Sequence, residues 1–310
     1  MKYNLILPLF LLLFMALMGC TSEQQKRQAA IAGLEAEAEG KTDAATAKIL
    51  IESYTDYISA YPEDPTFTPR YLYREATLQY RLSNFPAAAE RLLQLLERHN
   101  GAEVAPQAML LLGDLYNSAL QQPKAGQLAL QALTRRFPES ESTKTAAEQL
   151  GNTMVALEDE LEALRLSIYN DSLARLDFRK ADLYIQQSEL YSILLPDDAL
   201  TPTLLYRAGE IARSARNYEK ALELYGRLHS HYPEFEKAPQ ALFMQAFILD
   251  NDLKRFDEAG QLYQQFIDQY PDDDFASSAQ VLLENLGKDE EEIIRNLNTK
   301  AGNQPAPNNQ

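Results

Sequence analysis

The sequence predicts an all-α helical solenoid of about five antiparallel helix pairs with an irregular middle, because three features recur along it. The first is a short turn segment between two apolar-periodic stretches, which occurs at residues 84–88, 122–125, 217–221 and 255–259. The second is the spacing of prolines that suit a first helical turn: Pro69 and Pro106 are 37 residues apart, and so are Pro202 and Pro239. The third is an aromatic-proline pair that ends the second stretch, at 137–138, 232–233 and 270–271. One helix pair alone buries too little apolar surface to persist, so such units are expected to stack.

The unit at residues 201–233 shows why each half forms a helix. Pro202 fits a first turn, where its missing N–H is not needed, and apolar residues follow at helical spacing. Gly209 permits a close approach by the next helix. Asn217 turns the chain, and a second apolar stripe runs to Tyr232, where the following proline stops the helix.

Four further segments complete the predicted order of elements. Residues 49–61 are predicted to be the second helix of an incomplete unit before the first full one. Apolar residues from Leu150 to Ile168 form a heptad seam. This seam favours one long solenoid helix packed on its neighbours, with an intermolecular coiled coil as the alternative. Residues 177–181 restart the repeat frame, and residues 275–286 are predicted to be a polar capping helix.

The repeat units resemble the tetratricopeptide repeat. Small residues recur where that family needs them: Ala76 with Ala88, Gly113 with Ala125, Gly209 with Ala221, and Ala246 with Ala259. Two departures are visible, Asn100 in place of the unit-ending proline and one extra loop residue near 251–252. The linkers at 232–239 and 270–276 resemble, more narrowly, envelope lipoproteins of the BamD type and the periplasmic repeat protein of the Tol–Pal system. The resemblance covers roughly residues 45 to 286.

The only cysteine, Cys20, ends an apolar leader that carries Lys2 as its only charge. The apolar run is too short to span a bilayer as a stable helix and has the layout of a cleaved signal peptide. Its ending, residues 17–20, resembles the bacterial lipobox. That resemblance implies a diacylglycerol on the sulfur of Cys20, cleavage before it and an acylated amino terminus, typically with palmitate. Thr21, which is not the aspartate of an inner-membrane retention signal, implies an outer-membrane, periplasm-facing lipoprotein. An uncleaved anchor and an ordinary free thiol are the alternatives, although a free thiol would be unusual in an oxidising compartment.

The chain is expected to divide into six segments. They are the signal peptide at 1–19, the lipidated cysteine and tether at 20–43, the N-terminal repeats at 44–138, the irregular long-helix and repeat segment at 139–200, the C-terminal repeats and capping helix at 201–286, and an acidic and then disordered tail at 287–310. A partly helical tether and an extended one are both compatible with these residues, and the extended form would reach at most about 75 Å.

Composition argues against several classes of function. The formal net charge of −16 becomes one unit more negative without Lys2, which disfavours nucleic acid and anionic headgroups as partners. His229 and His231 are two residues apart and point to different faces of a helix, so joint metal binding is disfavoured. The acidic run 272–274 lacks the loop and distal glutamate of a calcium site. No nucleophile elbow, phosphate-binding glycine loop or paired zinc motif occurs, so an enzyme, a cofactor, a metal site and a small-molecule substrate are not expected.

The resemblance also implies a partner-binding groove lined by first-helix side chains. Carried over unit by unit, the groove residues of interest are Arg70, Tyr73, Tyr80, Asn117, Tyr206, Arg213, Phe243 and Phe247, and the carried-over positions also include Thr77 and Glu210. Aromatic and arginine side chains are enriched at binding hot spots. The alternative is that these rings fill gaps between repeats.

The function expected from these features is that of a non-catalytic, lipid-anchored scaffold that binds protein partners in the bacterial periplasm. Outer-membrane protein assembly is the first version of this role, and an envelope-organising adaptor of the Tol–Pal kind is the second. A cell-wall-acting enzyme is the alternative of another class.

Overall fold

The computed structural model describes residues 23–39, 43–151, 156–170 and 175–288, together with Glu292. The leader, Cys20, the rest of the acidic run at 289–292 and the tail beyond it lie outside the described residues. The chain forms two compact units, Met1–Met154 and Val155–Gln310, each with its own helical core. None of the described helices has both the length and the apolar character that crossing a membrane requires.

The first unit is a succession of antiparallel helices. They are α1 at residues 23–38, α2 (Ala44–Ala60), α3 (Phe67–Arg81), α4 (Phe85–Arg98), α5 (Ala105–Asp114), α6 (Pro123–Arg136) and α7 (Glu141–Leu150). Each helix from α3 to α6 packs on the helix that follows it, and α7 packs on both α5 and α6.

The second unit repeats this plan with one insertion. Its helices are α8 (Leu157–Leu166), α9 (Phe178–Leu194), α10 (Thr201–Ser214), α11 (Tyr218–His231), α12 (Ala238–Phe247), α13 (Phe256–Gln269) and α14 (Ala276–Glu284). Between α8 and α9, the two-residue strands β1 (Tyr169–Asn170) and β2 (Arg175–Leu176) pair antiparallel, with Tyr169 opposite Leu176. Within the described residues, each unit therefore consists of three helix pairs followed by a single helix.

Corresponding helices of the two units lie 133 residues apart in the chain. Helix α4 begins at Phe85 and α11 at Tyr218, α5 at Ala105 and α12 at Ala238, and the same interval relates their ends. Ala105-Pro106-Gln107-Ala108 recurs as Ala238-Pro239-Gln240-Ala241. The two units are thus two versions of one fold.

Helices α5 and α12 each end in a π-helical turn, Leu115–Ala119 and Ile248–Asp252. The extra residue expected in a loop near 251–252 is absorbed in this turn, and the unit of Pro106 carries the same insertion. The pair α10–α11 lacks the insertion, and there the Asn217 N–H donates to the carbonyl of Ala212, five residues earlier. In the pair α12–α13 the Arg255 N–H donates to the carbonyl of Leu249, six residues earlier. The insertion shifts the frame of α6, so Gly126, not the expected Ala125, occupies the place of Ala259.

The turn inside each full helix pair uses one non-glycine residue in the left-handed region. These residues are Ser83, Gln121, Arg216 and Lys254, with φ between 54° and 61°. The next residue is the N-cap of the second helix. At Asn217 the side-chain oxygen accepts the Lys220 N–H, which caps α11 as expected of an asparagine turn.

The expected close approach at Gly209 is present. A Cβ on this residue would lie 2.8 Å from Cε1 of Tyr225, so only glycine lets the ring of α11 lie flat against α10. The predicted capping helix is also confirmed as α14, whose Ala279 is buried.

Two expectations about the N-terminal region are corrected: the partly helical segment is packed rather than a free tether, and the first unit is not incomplete. Over residues 23–38 the predicted tether is the packed helix α1, whose Ile31 is only 3 % exposed. Side chains of Gln24 and Gln28 donate to the Tyr57 hydroxyl at 2.9 and 2.7 Å. Helix α1 is therefore the first helix of the unit that the sequence left incomplete, and polar contacts rather than an apolar stripe hold it.

The predicted long helix in the middle of the chain is also wrong. Helix α7 ends at Leu150, Gly151 adopts φ +60°, and α8 begins only at Leu157. Helix α8 packs on α9, so the heptad-spaced residues are divided between two units.

Candidate functional site

In the first unit, the predicted site residues lie on α3 and on the π-helical turn after α5. The Arg70 guanidinium lies 5.7 Å from the ring centre of Phe67. Tyr73 is half-buried, and burial raises the pKa of its hydroxyl.

The other two residues predicted in this unit are more exposed or locally packed. The Tyr80 ring packs 5.6 Å from that of Phe85. Asn117 is exposed, with its amide close to Gly126. Arg70, Tyr73, Tyr80 and Asn117 therefore share a unit without meeting in one pocket.

In the second unit, two predicted residues line one cleft of about 350 Å³ between α10, α11 and α12, called here the Tyr206 cleft. Its lining residues are Tyr206, Glu210, Arg213, Ser214, Tyr218, Tyr225, Met244 and Asp252. The structure thus brings Tyr206 and Arg213 together, and it adds Glu210 from the wider set of carried-over positions.

Polar contacts fix the walls of the Tyr206 cleft. The Arg213 Nε donates to Oδ2 of Asp252 at 2.8 Å, and its guanidinium lies 4.9 Å from the ring centre of Phe247. The Tyr206 hydroxyl donates to Oε1 of Gln240 at 3.3 Å. This guanidinium is held on two sides, by the carboxylate of Asp252 and by an aromatic face.

The ring of Tyr206 already carries a cation. The Lys237 ammonium, from the N-cap of α12, lies 4.7 Å from its centre. The ring also packs edge-on against Tyr225, with centres 5.7 Å apart. Burial and the nearby charge of Glu210 both raise the pKa of Tyr206.

Phe243 does not line the cleft. It is 8 % exposed, and its ring packs against the rings of Tyr263, Phe266 and Phe275 at 5.0–6.0 Å. Helix α12 belongs to the last helix pair of its unit. Phe275, the residue before α14, therefore covers the face of α12 on which a further repeat would otherwise pack. The prediction of Phe243 as a groove residue is corrected to a core position, whereas Phe247 is only partly buried and forms the platform under Arg213.

Sequence reasoning missed Tyr225 as a site residue because its ring falls on the apolar stripe of α11. The ring is indeed core, with 0 % exposure, but Tyr225 also lines the cleft through the gap left by Gly209. Burial, followed by the charge of Glu210, strongly raises the pKa of its hydroxyl. The signal in the sequence was the pairing of a tyrosine on one helix with a glycine on the facing one.

The histidines do not converge. Nε2 of His99 lies 3.0 Å from the Pro62 carbonyl, and Nε2 of His229 lies 3.1 Å from the Tyr270 hydroxyl. His231 contacts Ser230 on its own helix. Within the described parts of the chain, no cluster of three or more His, Cys, Asp or Glu side chains could hold a metal ion.

Comparison with known proteins identifies the repeats. Residues 203–234 and 240–273 match one tetratricopeptide-repeat family model, and residues 73–141 match another. No curated protein matches the chain.

Among solved structures, the chain is similar to the TPR2AB domain of yeast Sti1 in its complex with pHSP90, at 17 % identity over 82 % of this chain and 95 % of that one, with a TM-score of 0.31. It is also similar to the C-terminal part of a TPR repeat-containing protein from Cytophaga hutchinsonii, at 12 % identity over 81 % of this chain and 98 % of that one, with a TM-score of 0.24. At such low TM-scores neither similarity indicates what this chain binds.

Proposed function

We propose that this all-α tetratricopeptide-repeat protein is a lipid-anchored, non-catalytic scaffold that binds protein partners in the bacterial periplasm. The observation that carries the proposal is the Tyr206 cleft, an open pocket lined by tyrosines and an arginine on repeat helices. Such side chains supply large contact areas and directed hydrogen bonds, and they dominate the energy of protein interfaces. Tetratricopeptide repeats generally serve as protein-interaction scaffolds.

The apolar leader that ends at Cys20 supports the anchoring part of the proposal. Each buried methylene of an acyl chain contributes about 0.8 kcal/mol, so two or three chains on Cys20 would hold the protein stably. Helix α1 begins at residue 23 and packs on α2, so only Thr21 and Ser22 separate Cys20 from the first helix. The three Cα–Cα steps from residue 20 to residue 23 can span at most about 10 Å, which would keep the first unit at the membrane surface rather than on a long tether.

The more specific role we propose is in outer-membrane protein assembly. The support is the resemblance of the proline-bounded linkers at 232–239 and 270–276 to lipoproteins of the BamD type. An envelope-organising adaptor of the Tol–Pal kind would use the same architecture with other partners. A cell-wall-acting enzyme would need a general acid and a general base, and of the two carboxyls that line the cleft Asp252 is paired with Arg213.

Cross-linking in cells followed by purification of the intact lipoprotein tests this proposal. Recovery of barrel-assembly subunits supports the assembly role, whereas recovery of cell-division or peptidoglycan-linked proteins overturns it in favour of the adaptor. Cell-wall hydrolysis by the purified protein would overturn the non-catalytic reading. Labelling with palmitate should be lost in Cys20→Ser, and retention of label in that variant would refute the anchor.

A further inference from the structure

We propose that the Tyr206 cleft accepts a cationic side chain, an arginine or lysine, from a basic segment of the protein partner. This inference rests on the proposed scaffold function in one respect: the cationic side chain is taken to belong to a protein partner. Two buried or partly buried groups that the fold itself does not use carry the argument, and both line the same cleft.

The first group is the Tyr225 hydroxyl. Tyr225 is 0 % exposed, and among the described residues its oxygen has no hydrogen-bond partner. A buried hydroxyl left without a partner is unfavourable, and such groups in folded proteins call for an explanation. Since Tyr225 lines an open cleft, a bound group with an N–H could donate to this oxygen.

The second group is the Glu210 carboxylate. Within the described part of the chain it makes no hydrogen bond or ion pair, although partial burial raises its pKa and the charges of Lys237, Arg207 and Arg165 oppose that shift. The three cations that face Glu210 are engaged elsewhere: Arg207 and Arg165 both pair with Glu162, at 3.1 and 2.6 Å, and Lys237 lies over the ring of Tyr206. Glu210 is therefore an available acceptor next to tyrosine rings.

This combination favours a cation over an anion. The faces of tyrosine rings attract ammonium and guanidinium groups, and a carboxylate accepts their N–H groups in short, charge-assisted bonds. Lys237 already lies over one face of Tyr206, which shows that the ring holds a positive charge within this chain. An incoming anion would instead meet Glu210 and Asp252, in a protein whose net charge is −16.

The first unit lacks the two groups at the equivalent positions. At the 133-residue interval, Tyr73 corresponds to Tyr206, but Thr77 takes the place of Glu210 and Leu92 that of Tyr225. Neither Thr77 nor Leu92 offers a carboxylate or a buried phenol, so the cation site is expected in the second unit alone.

The test is isothermal titration calorimetry of the mature protein at low salt with a short peptide of alternating alanine and arginine. The matched peptide has citrulline at each arginine, which keeps the shape and most donors but removes the charge. We expect the arginine peptide to bind at least tenfold more tightly, and Glu210→Gln to remove most of that difference. Equal binding of the two peptides, or unchanged binding by Glu210→Gln, would overturn the inference.

Tyr225→Phe separates a ligand role from a structural one. Removing an unpartnered buried hydroxyl should leave Tm unchanged or raise it, while arginine-peptide affinity falls several-fold. The control is Tyr184→Phe, because Tyr184 is also 0 % exposed with an unpartnered hydroxyl among the described residues but does not line the cleft. A loss of affinity in both variants, or in neither, contradicts the proposal.

The cation site and the scaffold function can be refuted independently of each other. If partner recovery from cells persists in Glu210→Gln while the peptides do not discriminate charge, the scaffold stands and the cation site is wrong.

Discussion

Replacing Phe243 with alanine decides between a binding role and a core role for this residue. The ring is 8 % exposed and packs against four aromatic neighbours, the nearest of which is Phe275 at 5.0 Å and the farthest Phe247 at 6.3 Å. Truncating a buried phenylalanine to alanine costs about 3–5 kcal/mol, because contacts are lost and a cavity remains. For a chain unit of this size, that corresponds to a fall in Tm of roughly 6–20 °C.

The assay for Phe243→Ala is thermal and urea unfolding followed by far-ultraviolet circular dichroism. Phe247→Ala is the matched control, since Phe247 lies one turn further along α12 and is only partly buried. We expect the control to lose less than half as much stability. A Phe243→Ala variant that melts like the wild type and yet loses partner capture would refute the core assignment.

Three further predictions concern the turns, the helix contacts and the pH dependence. Arg216→Gly should raise stability by up to about 1 kcal/mol in urea unfolding, because φ of 61° is unfavourable for a residue with a Cβ; a loss of stability would contradict this. Gly209→Ala should cost about 1–3 kcal/mol in the same assay, because its Cβ would lie 2.8 Å from the Tyr225 ring, and a neutral effect would show that the ring moves freely. Partial burial would raise the pKa of Asp64, but hydrogen bonds from the Tyr57 hydroxyl and from backbone N–H groups lower it overall. The contribution of Asp64 to the free energy of unfolding is therefore complete above its ordinary pKa and is lost as the pH falls below about 4. Asp64→Asn should flatten the acid limb of a Tm-versus-pH curve, and an unchanged limb would refute this.

The helix pairs were predictable because each boundary has a local physical cause. Proline at a first turn, a small residue such as Gly209 at the tightest contact and an aromatic-proline stop are all short-range signals. Helix α1 shows none of these signals. Ile31 is its one buried apolar residue, and the side chains of Gln24 and Gln28 hold the helix on α2 by donating to the Tyr57 hydroxyl. Apolar periodicity cannot reveal a helix that is held by amide side chains on a tyrosine hydroxyl.

The π-helical turns show a second limit of sequence reasoning. One extra residue between Pro239 and Arg255 is visible in the sequence, but a loop insertion and a π turn leave the same spacing. The structure resolves it as a π turn, because the Arg255 N–H still finds a carbonyl, that of Leu249, at 2.7 Å. The N–H of Leu253 likewise donates to the Ile248 carbonyl, so backbone hydrogen bonds continue through the extra residue, which a looped-out residue would not ensure.

The candidate site was predictable only where the family pattern and the local packing agree. Tyr206 and Arg213 line one cleft, because α10 lies in the middle of its unit with a helix pair on either side, and their role in binding a partner stays a prediction. Phe243 was placed wrongly because a groove position on a terminal pair is covered by the capping element. Tyr225 was missed because a single side chain both belongs to the core and lines the cleft.

The repetition of the fold and the difference in the cleft together indicate where selectivity resides. In both units an arginine follows the groove tyrosine and forms an ion pair with the first helix of the preceding helix pair. Arg74 on α3 pairs with Glu35 on α1, and Arg207 on α10 pairs with Glu162 on α8. These two ion pairs are structural, since each joins successive first helices within its own unit. Glu210 and Tyr225 have no such counterpart in the first unit, and among the described residues neither the Glu210 carboxylate nor the Tyr225 hydroxyl has a hydrogen-bond partner. The arginine–glutamate contact between neighbouring first helices is thus present in both units, whereas the Glu210 carboxylate and the Tyr225 phenol occur in the second unit only, where Thr77 and Leu92 stand at the equivalent positions of the first. That is the pattern expected when recognition of a cation is confined to one unit of a repeated scaffold.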